Sequence, residues 1–380
     1  MDAPLPGLDV EDFLANRWQR KPCLIRGALA NFDWPLDAND LAGLACEDQV
    51  EARIITGPDD HGAWTLEHGP FDEDRFETIG NERWTLLVQD VEKHYPPLAR
   101  LLEHFRFLPS WRIDDLMLSF AAPGGSVGPH VDQYDVFLCQ VEGRRRWEIA
   151  ERFDPARRED VPVDMLASFQ AEQSWDLESG DILYLPPGVA HHGVALDPCV
   201  TCSVGFRAPS AADLALGLGE WLADRTGDGG RYRDPMLAAA PATGEIDSAA
   251  LERFRTLLAS TLEQDEALAG FIGQFMSRYR QAHEPLPIPG EDGRAALESA
   301  LLEAHSTTTD WITHPWARFA WVRANDDTAR LFASGREYAC TPGFAEWVCR
   351  GAGAIDAPAG VDRTCLTALA RNGHLIPAGD

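Results

Sequence analysis

The sequence predicts a mainly β N-terminal domain, followed by an all-α region and a small α+β module. Three observations predict it. Residues 20 to 208 break into short apolar runs separated by Pro, Gly and polar turns, the pattern of a β-sandwich or barrel. Residues 210 to 282 instead carry apolar residues at helical spacing. A Pro- and Gly-rich segment, "HEPLPIPGEDG" at 283 to 293, then sets off the remainder as a candidate boundary.

In chain order, Asp9 reads as the N-cap of a short helix over 9 to 18, with Val10, Phe13 and Leu14 on one face. The predicted strands are "CLIRGAL", "ARIIT", "WTLLVQD", "LMLSF", "YDVFLCQV", "RWEIA", "DILYLPPG" and "CVTCSVGF". Ser210 and Asp247 cap two of three helices, "SAADLALGLGEWLADRT", "DSAALERFRTLLASTLEQ" and "DEALAGFIGQFMSRYRQA". The remainder holds a helix ("RAALESALLEAH"), a hairpin within "ARFAWVRANDDTARLFASGREYACT", a helix ("PGFAEWVCRG") and a last helix ending in "LTALARNGHLI". A helix followed by a short strand after "NG" fits a winged-helix-like module.

Composition excludes several classes. The chain has 380 residues, 61 acidic and 33 basic, for a formal net charge of −28. Such a surface repels phosphate backbones and suits a basic protein partner. Residues 291 to 380 hold eight arginines, no lysine and twelve acidic residues, so the basic footprint of a DNA-reading helix is missing. No apolar run reaches the roughly 18 residues of a membrane helix. "MDAPLPGLDVEDFL" lacks the basic and apolar regions of a signal peptide. The expectation is a soluble, cytoplasmic protein with no membrane association. The eight cysteines form no disulfide framework in a chain this long, and Cys199-Val-Thr-Cys202 reads as buried core thiols.

The stretch "GPHVDQYDVFLCQVEGRRRWEI", 128 to 149, carries the chemistry. His130 is the one histidine of eleven with a carboxylate two residues later, Asp132. On a strand, residues i and i+2 share a face, so the pair can reach one ion. A non-haem ferrous site wants two imidazoles and one carboxylate with other positions open. A second histidine is offered by "GDILYLPPGVAHHGV", 180 to 194. There a Pro-Pro-Gly turn leads a new strand back with His191 and His192. Adjacent histidines face opposite ways, so one of them ligates, and spacing does not choose which.

Gly143 breaks the chain before "RRRWEI". On a strand over 144 to 149, Arg145, Trp147 and Ile149 share the interior face, while Arg144, Arg146 and Glu148 face solvent. A buried guanidinium needs a partner. A dicarboxylate bound to the metal at one end and gripped bidentately at the other supplies it. Tyr134, Asp135, Asp114 and Asp115 lie nearby in sequence, and each alone reads as turn and strand-end chemistry.

These motifs, with "RKPCLIRGAL", "DDLMLSFAAPGGSVGPHVDQYDVFLCQ" and "SVGFRAP", resemble those of the JmjC-type 2-oxoglutarate oxygenases, and within them the bacterial ribosomal oxygenases. The resemblance implies a double-stranded β-helix (jelly-roll, cupin-like) catalytic domain over 1 to 209. It also implies a helical dimerisation region over 210 to 282 and a winged-helix-like domain over 291 to 380. It implies Fe(II) held by His130, Asp132 and His191, and 2-oxoglutarate held by Arg145 with Ser119 as a hydroxyl partner. The implied activity is hydroxylation of an arginine of large-subunit ribosomal protein sixteen by a homodimer. Other activities on the same scaffold are histidine hydroxylation of a ribosomal protein, N-methyl-lysine demethylation, and a non-catalytic cupin-like binding role.

Overall fold

The computed structural model describes residues 5–224, 231–235, 246–260, 263, 265–278, 291–304 and 306–378. The chain divides into two compact units, residues 1–208 and 209–380.

The first unit runs α1 (Val10–Asn16), β1 (Cys23–Ile25), α2 (Ala38–Leu44), β2 (Ala52–Thr56), β3 (Thr65–His68), α3 (Glu73–Thr78), β4 (Trp84–Val88) and α4 (Val91–His94). After two 3₁₀ stretches come β5 (Ile113–Ala121), β6 (His130–Val131), β7 (Val136–Glu142), β8 (Arg145–Ala150), β9 (Gln173–Leu177), β10 (Ile182–Leu185), β11 (Ala190–Ala195) and β12 (Cys199–Phe206). Asp9 caps α1 by accepting from the Asp12 amide, as its position predicts. All strand pairs of this unit are antiparallel. They form an eight-stranded sheet, β1-β10-β7-β12-β5-β4-β2-β3, and a four-stranded sheet, β6-β11-β8-β9. This is a mainly β, cupin-like core.

Strand alternation divides the large sheet into two faces. Phe137, Cys139, Ile182, Tyr184, Val200, Cys202, Val204 and Phe206 join the main core, which the N-terminal helices cover. Cys199 and Cys202 are buried free thiols, matching the expectation for that motif. The alternate residues face the small sheet. Val136, Leu138, Leu183 and Leu185 pack there against Trp147 and Ile149 of β8. Between the sheets the large sheet also places buried polar groups: Asp115, Ser119, Gln140, Thr201 and Ser203. Gly143, between β7 and β8, holds φ +67 and sits where a Cβ would meet the Pro198 carbonyl at 2.2 Å, so the turn that aims β8 requires glycine.

The second unit contains α5 (Ala211–Ala223), α6 (Ser248–Ser260), α7 (Asp265–Ser277), α8 (Glu291–Glu303), β13 (Thr309–Thr313), β14 (Phe319–Arg323), β15 (Ala329–Ala333), β16 (Arg336–Cys340), α9 (Pro342–Cys349), β17 (Ala352–Ile355), α10 (Gly360–Arg371) and β18 (Leu375–Pro377). Ser210 and Asp213 form a capping box on α5, and Asp247 accepts from the Ala250 amide at the start of α6. Of the expected boundary at 283 to 293, residues 283–290 lie outside the described residues, and 291–293 open α8. The expected hairpin is a three-stranded antiparallel meander, β14-β15-β16, and a second sheet has the order β17-β13-β18. No helix among the described residues is long and apolar enough to cross a membrane.

His374, just before β18, is 2% exposed. Its ring packs edge-on against Phe319 and Tyr338, and neither ring nitrogen has a hydrogen-bond partner. Burial, with Arg336 and His314 adding to it, pushes its pKa down to about 4. An unfolded-state histidine titrates near 6.5, so the folded value is depressed. The stability tied to this residue is complete above pH 6.5 and is lost as pH falls toward 4, by about 3 kcal/mol. Thermal melts of wild type and His374→Leu at stepped pH should therefore diverge below pH 6.5, with the variant losing less. Parallel pH curves would refute the assignment.

Candidate metal centre

β6 and β11 pair antiparallel with His130 opposite His191. This register places the two imidazoles side by side, with ring centroids 4.2 Å apart. Asp132 follows two residues after His130, and its Oδ2 lies 4.0 Å from His130 Nε2 and 3.6 Å from His191 Nε2. One donor atom from each of these residues falls within 4.8 Å of the others. No other such cluster occurs among the described residues.

The tautomers favour metal binding. His130 Nδ1 lies 3.0 Å from the Gly128 carbonyl, and His191 Nδ1 lies 3.1 Å from the Val189 carbonyl. A carbonyl only accepts, so each Nδ1 carries the hydrogen and each Nε2 presents its lone pair. Burial, reinforced by the neighbouring His130, holds His191 well below the usual histidine range and therefore neutral. Burial also raises Asp132, against the opposing effects of His130, Tyr134 and Arg53. A cation bonded at about 2.1 Å to each donor would hold them about 3 Å apart, which asks Asp132 to close by about 1 Å or less on either histidine. The donor set, one carboxylate and two imidazoles on one side, fits a ferrous ion.

His192 faces the other way. Its Nδ1 lies 3.5 Å from Glu148 Oε2 on the outer face of the small sheet. The strand at 190–195 thus resolves what spacing left open: His191 points to the lumen, and His192 does not.

Arg145 also points to the lumen and is 3% exposed. Its guanidinium lies over Trp147, 5.0 Å from the ring centroid, and donates a long 3.3 Å bond to the Gly193 carbonyl. Its Nε has no partner, and it makes no ion pair among the described residues. Desolvation lowers its pKa, opposed by Cys199. A Cβ on Gly193 would come within 2.7 Å of Trp147 and 2.8 Å of Arg145 Nε, so glycine after the two histidines leaves the guanidinium its room. Arg144 and Arg146 sit outside, paired with Asp197 and Asp176. The neighbours of Arg145 on both sides have carboxylates while it has none among the described residues, and a carboxylate ligand would supply the missing partner.

Ser119 lies on the lumen face of β5, opposite Thr201 of β12, and donates weakly to the Thr201 carbonyl at 3.4 Å. Thr201 in turn reaches Gln140 Oε1 at 3.3 Å. Gln140 and Thr201 were not singled out by the sequence as lumen residues. The signal was present in "VFLCQVE", where alternation from Val136 and Leu138 puts Gln140 on the same face.

The four residues near the triad in sequence separate cleanly. Asp115 is buried on the lumen face, accepting from Gln89 Nε2 at 2.6 Å. Tyr134 stands 41% exposed at the mouth. Partial burial and the Asp132 and Asp115 carboxylates keep its phenol protonated. Asp135 lies on the opposite face of the sheet, bound to Tyr184, Gln19 and Arg112, and anchors the N-terminal segment. Asp114 shares the parity of Leu116 and Leu118, which enter the main core, and so also faces away from the lumen.

Two antiparallel sheets enclosing a His–Asp–His triad define a cupin-like oxygenase core, and the comparisons agree. A family model described as a JmjC domain matches residues 100–214. The chain is 39% identical over 282 residues to the ribosomal protein uL16 3-hydroxylase of Escherichia coli, covering 74% of each chain. It is 35% identical over 274 residues to a probable ribosomal oxygenase of Haemophilus influenzae, covering 68% of this chain and 65% of the relative. A solved structure of the E. coli ribosomal oxygenase YcfD, in complex with cobalt and 2-oxoglutarate, superposes with a TM-score of 0.84 at 32% identity over 99% of both chains. The chain belongs to the JmjC-domain ribosomal oxygenases.

Proposed function

We propose that this chain is an Fe(II)- and 2-oxoglutarate-dependent protein hydroxylase acting on an arginine of large-subunit ribosomal protein uL16. One observation carries the reading: a metal-sized triad and a buried, unpaired Arg145 occupy the same lumen. His130, Asp132 and His191 would hold the iron. Arg145 would grip the distal carboxylate of 2-oxoglutarate, with Ser119 offering a hydroxyl. With iron, 2-oxoglutarate and dioxygen bound, the site supplies insertion of one oxygen atom into a substrate C–H bond, the other leaving in succinate as carbon dioxide is released.

The protein's own residues do the remaining work. The Nδ1 bonds of both histidines fix the imidazole planes before the ion arrives. Trp147 and Ile149 keep water from the Arg145 side of the lumen, which strengthens the ion pair formed there. Arginine as the target is supported by Asp115 and Tyr134, a carboxylate and an aromatic ring beside the triad that match a guanidinium in charge and shape. The substrate protein follows from the name of the E. coli relative, and the charge of −28 suits a basic partner.

In the second unit, Leu251, Phe254 and Leu258 are exposed along one stripe of α6, and Leu216 is exposed on α5. Apolar stripes of this kind are covered in assembly, which supports a homodimer formed through residues 210 to 282. Residues 291 to 380 are read as a winged-helix-like module for protein contact rather than DNA binding.

Mass spectrometry of ribosomal proteins from cells with and without this gene tests the reading. One arginine of uL16 should lose the mass of one oxygen atom in the deletion strain. A change on a histidine instead would replace the arginine assignment, and identical masses throughout would sink the proposal.

A further inference from the structure

Arg53 is a second arginine of the lumen and has no role in the chemistry described above. Ala52 and Ile54 of β2 enter the main core, so Arg53 between them faces the other side. The register continues across the sheet: Arg53 pairs with Leu87, Leu87 with Ser119, and Ser119 with Thr201. Arg53 therefore stands on the floor that carries the proposed co-substrate residues, at its far end. It is half-buried, and its side chain makes no hydrogen bond or ion pair among the described residues. Its charge is felt at both Asp132 and Tyr134, in keeping with a side chain on the lumen face.

Its position separates it from the 2-oxoglutarate pocket. Arg145 acts on Cys199 of β12, whereas β2 lies three strands away from β12 in the sheet order. Three strand spacings are about 14 Å between backbones, so the two arginines rise from opposite ends of the floor, and a diacid whose far carboxylate is gripped by Arg145 leaves Arg53 without that carboxylate. A free guanidinium beside the path of a cationic substrate side chain would repel it unless it met an acceptor. Every polypeptide substrate brings such acceptors in its main-chain carbonyls, and the guanidinium fork suits two of them.

We propose that Arg53 is a positioning residue for substrate: it donates to the main-chain carbonyls of the polypeptide next to the target residue, while Asp115 and Tyr134 receive the target side chain. The two opposite charges then sort the substrate, backbone to Arg53 and cation to Asp115. The inference rests on the hydroxylase reading above. A residue of this kind discriminates a polypeptide from a free amino acid and contributes nothing to co-substrate binding.

The test is steady-state kinetics of the iron-loaded full chain with its own uL16 protein, for wild type, Arg53→Lys and Arg53→Met. Arg53→Met should raise KM for uL16 tenfold or more, with Arg53→Lys between it and wild type. The KM for 2-oxoglutarate and its slow turnover without uL16 should stay within twofold, and the melting temperature should not fall. An unchanged KM for uL16 overturns the inference. A raised KM for 2-oxoglutarate overturns it as well, by assigning the guanidinium to the co-substrate. A wild-type enzyme that leaves uL16 unmodified removes the substrate reading itself, and is seen before any variant is compared.

Discussion

Arg145→Met is expected to raise the KM for 2-oxoglutarate by at least about 100-fold while leaving the metal affinity within a few-fold. The reason is the electrostatic isolation of this guanidinium. It is buried, lies against Trp147, has an unpartnered Nε and makes no ion pair among the described residues. A charge held in that state costs the free protein stability, and the missing carboxylate is what offsets the cost. Removing one partner of a buried, hydrogen-bonded ion pair costs about 3–5 kcal/mol, and 1.4 kcal/mol is tenfold in affinity. The same isolation predicts the opposite sign for stability. Without ligand, Arg145→Met should melt higher than wild type, because an apolar chain replaces an unsatisfied cation. Adding 2-oxoglutarate with metal should raise the wild-type melting temperature and leave the variant nearly unmoved. If the variant binds 2-oxoglutarate as wild type does, the lumen arginine is not its anchor. Methionine is the informative replacement, since alanine would add a cavity beside Trp147 and confuse the two effects.

What the sequence made legible follows from which residues were buried on both sides. The strands "WTLLVQD", "VFLCQV", "DILYL" and "CVTCSVGF" are central in the large sheet, and their unbroken apolar runs announce them. Thr65–His68 and Gln173–Leu177 sit at sheet edges with largely exposed side chains, so "TLEH" and "QSWDL" carry no pattern to read. The two-residue strand His130–Val131 is invisible to periodicity because its partner, β11, lies some sixty residues away and alone defines it. For the site, the parity of Arg145 was readable because it depends only on neighbours along one strand, and His-x-Asp was readable as a spacing, although Asp132 follows the two-residue strand rather than lying on it. The choice between His191 and His192 depends on which face of β11 meets the large sheet, a tertiary fact. Arg53 and Gln140 were hidden for the same reason: a polar residue on an inward face is recognisable only once the facing sheet is in place.

That tertiary fact gives the sharpest contrast available among single substitutions. His191→Ala is expected to weaken metal binding by more than about 100-fold and to end turnover, while His192→Ala keeps both within a few-fold. Loss of a residue that merely orients a metal ligand already costs about 10–100-fold, and His191 is placed to be a ligand itself. Burial and the neighbouring His130 depress its pKa and keep it neutral, while the hydrogen bond from Nδ1 to the Val189 carbonyl fixes the tautomer that leaves Nε2 bare. The metal therefore competes with almost no bound proton at this residue at neutral pH. His192 instead lies against Glu148 on the outer face, a contact between partly exposed side chains that contributes about 1 kcal/mol or less. Metal titration followed by calorimetry, with cobalt as an air-stable probe, separates the two. Equal losses from both variants would mean that β11 presents the other face to the ion, and the register of His130 with His191 would then be wrong as well.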